Sequence, residues 1–111
     1  MWLRNLCLKL LHADGLQPWL ISRLLWRHVR VALDGSWSVS FQGQSFRLGR
    51  ETVTALALYR EWLGLPAFSE PRAEHRPLVQ VSFHCPFPIP ADRIRAVVET
   101  QQPEDPQFEQ A

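Results

Sequence analysis

The sequence predicts an α+β fold: an N-terminal helical hairpin, a small three-stranded and mainly antiparallel sheet with a helix packed on it, and a short C-terminal helix. Three observations predict it. Apolar residues recur at helical spacing over residues 2–33 and again over 50–63. Between these stretches Trp37, Val39 and Phe41 alternate with Ser36, Ser38 and Ser40, the period of a half-buried strand. Gly15, Pro18, Gly64 and Pro66 fall where helices end or begin.

The first helix covers residues 2–12. Leu3, Leu6, Cys7, Leu10 and Leu11 follow the i, i+3, i+4 rule, while Asn5, Lys9 and His12 share the other side. Gly15 suits a helix end and Pro18 the first turn of the next helix. With so short a connection, the two helices fold back on one another as a hairpin.

The second helix is predicted over Pro18 to Leu33 and carries the most information. At 100° per residue, Arg23, Arg27 and Arg30 lie within about 60° of one another as a basic stripe. The remaining face is apolar over about 260°, against a little over 100° for an ordinary surface helix. His28 falls near its middle. A helix of this kind needs cover on several sides: from the core, from the first helix, and from a second copy or another protein. If Val29 to Leu33 is strand instead, the face narrows.

A hairpin follows, turning at Gln42-Gly43 and returning through Phe46 and Leu48, with one aromatic face and one serine face. Arg50 to Leu63 reads as a third helix, whose apolar set Ala55, Leu56, Tyr59, Trp62 and Leu63 spans about 120° and places Trp62, like Trp37, in the core. Pro66 to Pro77 is a polar loop punctuated by proline. Val79, Val81 and Phe83 mark a third strand, the prolines of Cys85 to Pro90 hold the chain extended, and Ala91 to Gln101 forms the last helix. Residues 1–102 are expected to make one domain, and 103–111, with Glu104, Asp105 and Glu109, an acidic and disordered tail.

The totals restrict the function classes. Net charge is +1, which supplies no global field for steering onto nucleic acid or an anionic membrane. Residues through Leu33 nevertheless carry five bases against Asp14 alone. Cys7 and Cys85 make no disulfide framework, which fits a reducing, cytoplasmic setting. Residues 1–13 are basic and amphipathic, as organelle presequences are, but contain no Ser; Lys9 and His12 break the apolar run that a signal peptide needs. No uncharged apolar stretch reaches the ~18 residues of a membrane span.

Chemistry motifs are lacking. His12, His28, His75 and His84 form no zinc spacing, the adjacent carboxylates Glu104 and Asp105 fall on the tail, and no glycine-rich phosphate loop occurs. No catalytic residue, metal or cofactor is expected. The expected function is contact. A small non-enzymatic regulator would homodimerise and bind, or sequester, another protein such as a transcription regulator, through its N-terminal helices. Trp and Arg are enriched at binding hot spots, which selects Trp19, Leu20, Arg23, Leu24, Leu25, Trp26, Arg27 and Arg30 as the candidate interface. A nucleic-acid module using the Arg23/Arg27/Arg30 stripe, with tryptophan stacking at its edge, is the first alternative. An enzyme or ligand-binding subunit with a site built at a dimer interface is the second.

Overall fold

The computed structural model describes residues 2–66 and 74–100; the expected tail 103–111, and residues 67–73 of the expected loop, lie outside them. The elements in chain order are α1 (Trp2–Ala13), α2 (Pro18–Arg23), a 3-10 turn (Trp26–His28), β1 (Val29–Val31), β2 (Trp37–Phe41), β3 (Gln44–Arg47), α3 (Arg50–Leu63), β4 (Gln80–Ser82), β5 (Cys85–Pro88) and α4 (Ala91–Glu99). The α+β class, with helices at both ends and a three-stranded antiparallel sheet, is as the periodicities predict.

Local chemistry explains the elements that match. Gly15 ends α1 at a positive φ of 105°, and Pro18 opens α2 where its missing N–H costs nothing. The β2–β3 hairpin turns at Gln42 and Gly43, both at positive φ (48° and 82°), the backbone of the tight turns whose twist matches the strands. Gly64 closes α3 in the left-handed region, its N–H donating to the carbonyls of Arg60 and Glu61.

The second helix is corrected: the α-helix ends at Arg23, and residues 24–31 continue as an extended step, one 3-10 turn and a strand. The cause is long-range hydrogen bonding. Leu24 turns to an extended ψ of 139°, its carbonyl accepts from the Leu78 N–H (2.9 Å), and the Trp26 N–H donates to the Arg76 carbonyl (3.0 Å). Val29 and Val31, β-branched and suited to a pleated sheet, then pair with Val39 and Trp37. The wide apolar face is therefore divided among a helix, a turn and a strand.

A second correction concerns the sheet. The strand order is β1-β2-β3, so Val29–Val31 takes the third place expected for Val79 to Phe83. That later segment forms β4, which pairs antiparallel with β5 in a separate ribbon. The alternating prolines of β5 are tolerated because the strand has one hydrogen-bonded neighbour in the ribbon, β4.

The core lies where α1, α2, α3 and α4 meet the hairpin: Leu8, Leu11, Leu20, Val39, Leu56, Tyr59 and Ile94 are all buried. Tyr59 ties α3 to β4, its hydroxyl accepting from the Gln80 N–H at 3.1 Å. Trp62 is corrected from the core: it is 45% exposed, stacked on Tyr59 and edge-on to Phe83. Asn5, expected on the wet side of α1, is buried with Arg4, whose guanidinium donates to the Asn5 side chain and, at 2.6 Å, to the Val81 carbonyl. An arginine read as part of a basic N-terminal surplus thus joins α1 to the β4 ribbon.

Candidate functional site

The residues expected to form one interface separate. Leu20, Leu24 and Trp26 are buried in the core at 2%, 1% and 2% exposure, and Leu25 is half-buried. Trp19 is 47% exposed on α2, with the Arg23 guanidinium 6.0 Å from its ring. Arg27 is exposed on the 3-10 turn and Arg30 on β1, where its Nη1 donates to the Arg27 carbonyl. The three arginines stand on three different elements and form no helical stripe.

Arg30 instead joins a cross-strand row. It lies opposite Ser38 on β2, and Ser38 lies opposite Arg47 on β3. Beside this row, Asp34, Ser36, Trp37, Arg47 and Arg50 line a cleft of about 400 Å³ at the start of α3. Its electrostatics are mixed. Hydrogen bonds from the Ser36 N–H and hydroxyl hold the Asp34 carboxyl below the usual carboxylate range, so a negative charge stands near Arg47. The Gly49 N–H at the start of α3 is already taken by Asp14 (2.9 Å).

The Asp14 Oδ2 accepts from Gly49 N and, at 2.6 Å, from the Thr52 hydroxyl. Gly49, the N-cap of α3, has no side chain to do this, so the carboxylate arrives from the α1–α2 loop and sits at the positive end of the helix. The end of α1 is thereby fixed against the start of α3.

That attachment leaves a shallow groove between the two helices. Trp2, Leu3, Leu6 and Leu10 of α1 line one wall, and Glu51, Ala55 and Leu58 of α3 the other, around about 350 Å³. Helical spacing explains both walls. On α1, Cys7, Leu8 and Leu11 point into the core, while Leu3, Leu6 and Leu10 form an adjacent stripe left half-buried. On α3, Leu56 and Tyr59 point inward and Leu58 falls to the side, 53% exposed; Trp2 is 45% exposed. The groove was missed in the sequence because its residues looked like parts of ordinary amphipathic stripes. The available signal was Leu58, a leucine outside the predicted apolar face of its helix.

Other chemistry is sparse. Among the described residues no three His, Cys, Asp or Glu side chains gather as a metal site, and no helix is long and apolar enough to cross a membrane. The Cys7 thiol is pushed up to about 12 by burial and Tyr59 likewise to about 12, which keeps both protonated. His28 accepts the Leu25 N–H at Nδ1 (2.9 Å) and packs edge-on against Phe41, a structural role in the 3-10 turn.

No family model matches the chain, and neither a curated protein nor a solved structure matches it.

Proposed function

We propose that this protein is a small, non-enzymatic interaction protein that acts by docking the α1/α3 groove onto an apolar protein surface. A regulator that sequesters another protein, such as a transcription regulator, is the class of role this suits. The observation that carries the reading is the groove itself: an almost wholly apolar lining, from Trp2 and Leu3 to Leu10, Ala55 and Leu58, left open on the surface of a small chain. Contiguous exposed apolar surface rimmed by charge marks interaction sites, and an aromatic anchor at its end is the residue type that dominates binding energy. This moves the interface from the second helix to the first and third.

A photo-crosslinking side chain at Leu58, introduced into the full chain in cells that make it, tests the reading. Protein adducts are expected from position 58 and not from the exposed Gln44 on β3. Equal or absent adducts at both positions overturn the proposal.

The nucleic-acid reading keeps one supporting observation, the Arg30–Ser38–Arg47 row. It requires retention on a nucleic-acid column that falls steeply with salt and is lost when Arg30 and Arg47 are replaced together.

A further inference from the structure

We propose that the groove is closed by the same groove of a second copy of this chain, related by a twofold axis that sets Arg50 of each copy against Glu51 of the other. This rests on the docking role above and names the partner. The charged residues lining the groove are Arg50 and Glu51, adjacent in the first turn of α3 and opposite in sign. Neither forms an ion pair with another described residue.

A twofold interface pairs residue i with j and j with i. A patch bearing one cation beside one anion is complementary to itself, and both pairs form together. A partner presenting a single sign of charge at this end would satisfy one residue and repel the other. The helix adds a bias. Glu51 lies at the positive end of α3, where a carboxylate is favoured, but Arg50 is disfavoured there by the same dipole. A facing carboxylate offsets that cost.

The apolar part fits the same arrangement. Leu3, Leu6 and Leu10 lie along one wall and Leu58 on the other, so two grooves face to face bring four helices together with leucines interleaved. The face is about 20 Å long and two helix diameters of roughly 10 Å wide. That is about 400 Å² per copy, half the area of a standard interface, which places it among weak, transient complexes with association on the order of ten micromolar.

Sedimentation of the full-length chain tests this at on the order of 100 µM, a concentration above the expected dissociation constant. The wild-type chain is expected to be a dimer. R50E and E51R are each expected to raise the dissociation constant by about tenfold or more, since each sets like charges across the axis twice. Mixing the two is expected to restore the dimer, because one chain then offers two carboxylates and the other two guanidiniums. Leu58→Arg is expected to be monomeric alone and in every mixture. Circular dichroism on each variant confirms the fold, and a mixture that recovers is itself proof that both chains are folded.

A monomeric wild-type chain overturns the inference, as does a dimer indifferent to both charge changes. If the wild type is monomeric yet position 58 crosslinks to a different protein, the second copy is refuted and the docking role stands.

Discussion

The two N-terminal segments exchange the roles their sequences assign them. The first, residues 2–13, has an ordinary amphipathic pattern, and the second, residues 18–31, has more apolar surface than one helix can hide. In the structure the second segment buries Leu20, Ile21, Leu24, Trp26 and Val29 and leaves Trp19 and Val31 about half exposed, because it changes from α2 to a 3-10 turn to β1 and so points successive residues in different directions. The first remains a regular helix and cannot do this. Its stripe of Leu3, Leu6 and Leu10 stays in place beside the core stripe and is left to the groove with α3. Excess apolar character in a sequence is thus weaker evidence for an interface than a regular helix whose two stripes exceed what its neighbours cover.

The largest expected effect tests that contrast directly. Leu24 is 1% exposed and Trp26, 2% exposed, lies under the Arg60 guanidinium at 4.7 Å. Trp26→Ala is expected to cost about 3–5 kcal/mol, and Leu24→Arg to prevent folding. Leu58→Arg, on a side chain more than half exposed, is expected to change stability by no more than about 0.5 kcal/mol. Urea unfolding of the three variants measures it. Equal destabilisation by Leu58→Arg and Trp26→Ala would break the comparison, because the groove would then be core.

A smaller effect is expected where the two segments are joined. Asp14 lies in the loop between them and caps α3 through Gly49 and Thr52. Asp14→Ala should cost about 1–2 kcal/mol, the usual value of an N-cap carboxylate. For a domain of this length, each 1 kcal/mol lowers the melting temperature by about 4 °C, which a thermal scan resolves. An unchanged melting temperature would mean that α1 and α3 hold their relation without this tether.

What the sequence makes legible follows the range of the forces involved. The bounds of α3 and the Gln42-Gly43 turn are readable because side-chain period and turn chemistry are local. The end of α2 is not, since it depends on hydrogen bonds from residues 24 and 26 to residues 78 and 76, some fifty positions away. Arg4 and Asn5 look like solvated residues until Val81, a distant residue, supplies the carbonyl that lets them be buried. The candidate site lay partly in view. Leu3, Leu6 and Leu10 are plainly apolar, but which of α1's two stripes meets the core depends on where α3 comes to rest.

A still smaller effect reports on the 3-10 turn alone. Burial, and then the charges of Arg27 and Arg30, hold the His28 imidazole below its usual range. Its Nδ1 also accepts the Leu25 N–H, which only the unprotonated nitrogen does. The folded value lies below the unfolded one, about 6.5, so the unfolded chain takes up the proton first as the pH falls. The contribution is therefore complete above about pH 6.5 and is lost as the pH drops through the folded value. His28→Asn supplies an acceptor that does not titrate. Between pH 7.5 and pH 5.5, the urea midpoint should fall further in the wild type than in the variant. Parallel curves would remove His28 from the pH response.

The smallest perturbation needs no mutation and compares the two cysteines. Cys7 lies on the core stripe of α1 at 0% exposure, with its thiol pushed up to about 12 by burial, whereas Cys85 on β5 is half-buried. The thiolate is the reactive form, so alkylation in native buffer should modify Cys85 first. Cys7 should react only as fast as the domain opens around α1. Mass spectrometry over time separates the two adducts. Trp26→Ala should speed the Cys7 adduct by loosening the whole core, and Leu58→Arg should leave it slow. If Cys7 in the wild type keeps pace with Cys85, then α1 lifts away readily, and its half-buried leucines mark a loosely held helix instead of a rigid docking wall.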